Sequence, residues 1–250
     1  MFDPPVLRTK TAYMQRLADL IRLGNRYHVT GEVSLDRACA LVRKFRDLYL
    51  VHLPKDQRYR RKRAGLGNAH LVLWQPNIEA PMLTFTLLVT PGDHPAHRLE
   101  QLRDAYDRRQ RLQVGVDYEL VQHTRAAAPA GAAPGKAPKA SLSWRLTAER
   151  EQAYRDEFRD LIRRNAIRDL VLRWHSIHRI VGFALARRQV FELRTMARAE
   201  WKRSRRGPFP VKGTRIGYVS RVPHHGPPLS ALIRAMNRTA LSAALAVGAR

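Results

Sequence analysis

The chain has 250 residues, with 46 Lys or Arg against 21 Asp or Glu, a formal charge of +25. That length provides for one large domain or two small ones, and an apolar fraction of 44% is enough for a core. The single cysteine, Cys39, excludes an internal disulfide framework and a Cys-based zinc site; with no apolar leader and no run of about 18 apolar residues, no membrane span is expected and a cytoplasmic location is.

Residues 10–23 place Tyr13, Met14, Leu17, Leu20 and Ile21 on one helical face. Ser34 reads as an N-cap, followed by Leu35, Ala38, Leu41, Val42, Phe45, Leu48 and Tyr49 at helical spacing. The connection between these helices, residues 24–32, is longer than the roughly 3–4 residues of a helix-turn-helix, so a packed pair is expected instead of a DNA-reading module. Residues 55–63, Lys-Asp-Gln-Arg-Tyr-Arg-Arg-Lys-Arg, are too polar for core. Residues 69–75 read as a strand, and Leu83, Phe85, Leu87 and Val89 alternate as a second that Pro91-Gly92 ends. Leu99, Leu102, Tyr106 and Leu112 predict a helix over 97–112. Residues 118–122 give a third strand, and Leu142, Trp144 and Leu146 a fourth. Between them, residues 124–140 are Ala, Pro and Gly-rich and read as a disordered excursion from a hairpin.

Three apolar helical faces follow: Tyr154, Phe158, Leu161 and Ile162; then Ile167, Leu170, Val171, Trp174 and Val181; then Val190, Leu193, Ala197 and Trp201. Gly182 reads as the break between the last two. Residues 204–228 hold five Pro and four Gly, a loop with a short strand at 216–219, and residues 229–247 form a final helix through Leu229, Leu232, Ile233, Met236 and Leu245. The order predicts an α+β protein: a four-stranded, mainly antiparallel sheet with an αββαββ-like core, then a helical C-terminal half. The expected divisions are 1–147, 148–203 and 204–250.

Charge is the strongest functional signal. Glu200 is the last acidic residue, and residues 201–250 hold ten Lys or Arg. Two runs stand out. Arg58, Arg60, Arg61, Lys62 and Arg63 enclose Tyr59, and Lys202, Arg203, Arg205, Arg206, Lys212, Arg215 and Arg221 interleave with Phe209 and Tyr218. A helix dipole accommodates one or two such cations, not a run. Like charges at this density repel unless a polyanion neutralises them, and mixed basic and aromatic residues suit backbone binding with base stacking. The expected partner is nucleic acid, DNA or RNA, with an anionic membrane surface the second polyanion to consider.

Other constellations are weaker. Gly65-Leu66-Gly67-Asn68 precedes a strand, the wrong order for a phosphate-binding loop, and a turn at positive φ explains it. Asp93, His94 and His97 have metal-like spacing but also suit a capped turn. His175 and His178 share a helical face. His224 and His225 lie beside basic residues and could serve as acid and base in RNA cleavage. The carboxylates at 104, 107, 149, 151, 156, 157 and 160 alternate with Arg and read as helix-surface ion pairs. No metal or cofactor is called for, and no catalytic motif emerges.

Residues 63–74, Arg-Ala-Gly-Leu-Gly-Asn-Ala-His-Leu-Val-Leu-Trp, resemble a segment of uncharacterised proteins of proteobacterial plasmids and integrative conjugative elements. So do Leu88-Val-Thr-Pro-Gly, Tyr118-Glu-Leu-Val and Trp144-Arg-Leu-Thr, and the resemblance spans about residues 55–222. It implies work on element DNA or RNA and carries no residue roles. The expected function is a non-enzymatic, nucleic-acid-binding protein of a mobile element. The alternatives are a metal-independent nuclease and a subunit of a larger nucleoprotein complex in replication, conjugation or defence.

Overall fold

The computed structural model describes residues 2–124, 140–211 and 215–248, with side chains in the last helix described to residue 238. In chain order the elements are β1 (Val6–Leu7), α1 (Lys10–Arg22), β2 (Tyr27–Ser34), α2 (Leu35–Tyr49), α3 (Lys55–Arg63), β3 (Ala69–Trp74), β4 (Met82–Val89), α4 (Ala96–Leu99) and β5 (Arg103–Asp104). There follow β6 (Gln113–Val114), β7 (Tyr118–Thr124), β8 (Ala140–Leu146), α5 (Ala148–Arg163), α6 (Ile167–Ile177), α7 (Ala184–Ser204) and α8 (Leu229–Gly248). Two compact units result: residues 1–110 with 221–250, and residues 111–220. No helix among the described residues is long and apolar enough to cross a membrane.

The class is α+β as expected, but the sheet arrangement differs from a four-stranded αββαββ core. The first unit holds a mixed five-stranded sheet, ordered β1-β3-β4-β2-β5, and the second a three-stranded sheet, ordered β6-β7-β8. The four expected strands are therefore divided between two sheets. The largest departure is β2, which occupies the expected connection between the first two helices and pairs along its whole length with β4. Tyr27, Val29 and Val33 alternate with His28, Thr30 and Glu32 there, and Thr30 and Glu32 are exposed. Gly31 belongs because a Cβ would stand 2.7 Å from the Phe85 ring of the paired strand. A strand between α1 and α2 also removes the helix-turn-helix.

Alternation divides β3 between two faces. Ala69, Leu71 and Leu73 join Leu83, Leu87, Val42 and Phe45 in a core under α2, which Leu229 and Leu232 of α8 complete. Trp74 lies on the other face, under α1, where the Tyr13 ring stacks on it at 4.9 Å and the Tyr13 hydroxyl lies 2.6 Å from Thr86 Oγ1. Thr9 caps α1 by accepting from the Ala12 amide. The expected helix over 97–112 is only α4, one turn, followed by β5. Leu99 points to solvent at 61% exposure, so the Leu spacing there was not a buried stripe.

Residues 221–230 close the first unit by running along its N-terminal segment. Val6 N donates to Pro227 O at 2.9 Å, Leu229 N to Pro4 O at 3.1 Å, and the Ser230 amide and hydroxyl both donate to Asp3. Gly226 approaches so closely that a Cβ would lie 1.9 Å from Val6 O.

In the second unit β7 and β8 form the expected hairpin, with Tyr118 opposite Leu146; residues 125–139 of the predicted excursion lie outside the described residues. Trp144, Phe158, Trp174 and Leu193 are fully buried. Gln189 of α7 accepts from Leu146 N at 2.7 Å and donates to Leu146 O at 3.1 Å, satisfying backbone groups of edge strand β8. Helix α6 ends before Gly182 as expected. A Cβ on Gly182 would meet Gly217 O at 2.2 Å, so residues 216–219 pass against it, with Val219 N donating to Gly182 O, but form no strand.

Candidate nucleic-acid interface

The first basic run is helix α3, not a linker. Pro54 precedes it, Asp56 lies in its first turn, four cations lie in its last, and Gly65 at φ +73° turns the chain away. None of its nine residues is buried. A helix this short is marginal alone, so its anchors are polar. Arg58 Nη2 donates to Val51 O at 2.6 Å, Arg61 donates twice to Gly67 O at 3.1 and 3.3 Å, and Asn68 donates to Arg58 O. The Gly65-Leu66-Gly67-Asn68 turn thus carries the attachments of α3. Gly67 has no room for a side chain, since a Cβ would stand 2.7 Å from His94 Cβ.

At 100° per residue, Arg58 and Arg61 define the side of α3 facing the body. The opposite side carries Arg63 and Asp56 at its middle, with Arg60 to one flank and Tyr59, 62% exposed, then Lys55 and Lys62 to the other. Among the described residues these four cations make no ion pair and no side-chain hydrogen bond. Asp56 is the only carboxylate on the helix. The face combines a ring able to stack and four cations free for phosphate oxygens.

The second run belongs to the other unit and is used more by the fold. Arg203 donates to both carboxylate oxygens of Glu200 at 2.7 and 2.6 Å. Arg205 Nε donates to Ile162 O at 2.8 Å and its Nη2 to Arg163 O, closing the C-terminus of α5. Tyr218 carries the Arg187 guanidinium 3.5 Å from its ring centre, and Arg187 also donates to Ile216 O at 3.0 Å. At 72% exposure, the other face of that ring is open. Lys202, Arg206 and Arg215 are exposed and make no ion pair among the described residues. Lys212 lies outside the described residues. Arg221 falls in the first unit, where it and His224 bond to Asp19, Arg221 Nη1 at 3.2 Å and His224 Nε2 at 3.2 Å. Burial alone would raise the Asp19 pKa. The hydrogen bonds from Arg221 and His224 and the charges of Arg221 and Arg22 outweigh it and hold the group below the ordinary carboxylate value.

His94, His97, His178 and His224 are each engaged by neighbouring groups. His224 spends Nε2 on Asp19, and its Nδ1 is buried without a partner among the described residues, so it presents no nitrogen to a phosphodiester. His94 places Nε2 3.2 Å from Tyr49 O and accepts from Ala96 N at Nδ1, while His97 bonds Thr90 O and Asp93 pairs with Arg98. The Asp93, His94 and His97 groups are thus engaged by Tyr49 O at the end of α2 and by partners in their own turn. His178 Nδ1 lies 2.5 Å from Trp174 O, within its own helix. Of the acidic residues, Asp104 pairs with Arg26, and Glu151, Asp156, Glu157 and Asp160 pair with Arg155, Arg159, Arg173 and Arg164.

Two basic residues outside both runs escaped sequence reasoning: Arg16 and His70. Arg16 borders the buried stripe of α1, and His70 interrupts an apolar strand. Arg58 Nη1 lies 3.0 Å from His70 Nδ1, and the charge of Arg16 acts on both groups. A basic residue at the margin of an apolar pattern was the available signal.

Comparison of the chain with protein-family models, with curated proteins and with solved structures finds no match.

Proposed function

We propose that this protein binds nucleic acid through the phosphate backbone, with the outer face of α3 as the main contact. The observation that carries this is Tyr59, exposed at the centre of Lys55, Arg60, Lys62 and Arg63, on a helix with one carboxylate. Fold stability does not require that arrangement, because the helix is held from its other side by Arg58 and Arg61. Lys202, Arg206 and Arg215, with the open face of Tyr218, provide a second basic stretch. The resemblance to plasmid and conjugative-element proteins is the reason to look for the ligand among element DNA or RNA. The proposed role is binding, carried by the charge and the exposed ring of α3.

The test is anisotropy titration of labelled single- and double-stranded DNA and RNA at several salt concentrations. Affinity is expected to fall at least tenfold between about 50 and 200 mM salt, because each phosphate neutralised releases counterions. Affinity independent of salt, or no binding at the lowest salt, overturns the proposal.

A further inference from the structure

Between helix α8 and the loop joining β3 to β4, within the first unit, lies an open cavity of about 610 Å3. Small-molecule sites commonly measure about 300–1,000 Å3. The floor of the cavity is core: Leu35 and Leu232 belong to the buried cluster under α2, and Met236 packs against it. Ile78 and Pro81 of the loop form the rim, and Ile78 is left 68% exposed. Both ends of that loop are tied to the fold, since Gln75 N donates to Leu7 O at 3.0 Å and Leu35 N to Pro81 O at 2.8 Å.

One cation is aimed into this apolar setting. Arg8, directly after β1, is partly buried and lines the cavity. Beside it Gln75 is buried, and its Nε2 donates to Ala80 O at 3.2 Å and to Ile78 O at 3.4 Å. Those two carbonyls fix which way the amide points, so its Oε1 accepts from Arg8 Nη1. The Nε and Nη2 donors of Arg8 have no partner among the described residues, and Arg8 makes no ion pair there. Glu79, the carboxylate on the lining, is exposed and does not pair with Arg8. Partly buried cations are ordinarily paired. Nε–H and Nη2–H lie side by side, the fork that holds a carboxylate through two parallel bonds.

We propose that this cavity binds a small amphiphile, a carboxylate carrying a hydrocarbon tail. The carboxylate takes the free fork of Arg8, and the tail lies over Leu232 and Met236 and covers Ile78. Charge complementarity selects the head group: one fork with one charge matches one monoanion and repels a cationic amphiphile.

The test is calorimetric titration of the full chain with decanoate and with 1-decanol, which share a tail and differ in the head. Decanoate is expected to bind about tenfold more tightly, the contribution of one charge-assisted pair. Arg8→Gln brings decanoate down to the affinity of 1-decanol, while Arg37→Gln, which removes an equal charge from the exposed side of α2, leaves it unchanged. Ala235→Phe, at an exposed position of α8 on the lining, fills the cavity and weakens both ligands, which keeps the proposal testable should Arg8→Gln fail to fold. By NMR, saturating decanoate moves the methyl signals of Ile78 and Met236 and not that of Met14, which is buried in α1. Equal affinity for decanoate and 1-decanol, equal losses in Arg8→Gln and Arg37→Gln, unchanged binding in Ala235→Phe, or unmoved Ile78 and Met236 signals overturns the proposal. Tighter binding of an amidated apolar peptide than of decanoate assigns the face to a protein partner and overturns it too. No probe is a nucleic acid and no residue tested belongs to α3, so the outcome stands apart from nucleic-acid binding.

Discussion

Helices α3 and α5 are both rich in arginine and use it in opposite ways. Helix α5 carries Arg150, Arg155, Arg159 and Arg163 with five carboxylates, and each of these arginines has an ion-pair partner: Asp117, Glu151, Asp156 and Glu200. Helix α3 carries six cations with one carboxylate, and its two body-facing arginines hold backbone carbonyls. The number of arginines therefore says little about binding. What distinguishes the helices is whether the chain supplies its own negative charge. Where it does, the arginines stitch the surface of the fold together; where it does not, they remain available to a ligand.

The largest expected effect tests that difference directly. Replacing Arg60, Lys62 and Arg63 together by Gln should weaken nucleic-acid binding about a hundredfold near physiological salt and make the log–log salt slope shallower by about 3, leaving thermal stability unchanged. Replacing Arg155, Arg159 and Arg164 by Gln removes the same charge, yet should leave affinity within about twofold and cost only about 0.3–0.5 kcal/mol of stability per ion pair. Equal losses of affinity in the two triple variants would show that net charge alone matters and that the comparison is empty.

A smaller effect separates stacking from charge on α3. Tyr59→Ala should weaken single-stranded binding by about 1–3 kcal/mol and leave duplex binding nearly unchanged, measured by the same titration. Uniform loss on both substrates would make Tyr59 a spacer and not a stacking platform.

The smallest concerns Arg221, which pairs with Asp19 as Arg203 pairs with Glu200. Asp19 has a depressed pKa in the folded protein, so its bonds to Arg221 and His224 stabilise the fold above the ordinary carboxylate pKa, and that contribution is lost as pH falls through the lower folded value. Amide exchange of residues 221–225 should accelerate in that acidic window, and Asp19→Asn should bring the acceleration to neutral pH. Unchanged exchange in Asp19→Asn would show that backbone bonds alone hold the segment.

Much of this architecture was legible from periodicity. The strong 3.6-residue stripes of α1, α2, α5, α6, α7 and α8 identify those helices because one face of each is buried, and β4 and β8 show through their alternation, although Thr86 and Leu88 on the second face of β4 are buried too. Strand β2 was not read as a strand although Tyr27, Val29 and Val33 alternate with His28, Thr30 and Glu32, because Gly31 interrupts the apolar series and its reason, Phe85, lies on the paired strand. The Leu spacing after residue 97 mimicked a helix although Leu99 faces water. The basic runs were legible as charge, but their division into fold-serving and free arginines depends on which carbonyl or carboxylate lies within reach. The contact of Arg58 with His70 joins α3 to β3, so no local pattern could announce it.

The first unit is discontinuous: its chain leaves at residue 110 and resumes at 221. During translation its core therefore waits for the 110 residues of the second unit, about 5–20 s at ordinary elongation rates. Until then Leu229 and Leu232 are missing from the cluster around Leu35, Val42 and Leu73, and the N-terminal segment lacks the partner that bonds Val6. The nascent chain must pass through a stage with an apolar face unsealed, and a ribosome stalled inside the second unit would leave a first unit unable to finish folding.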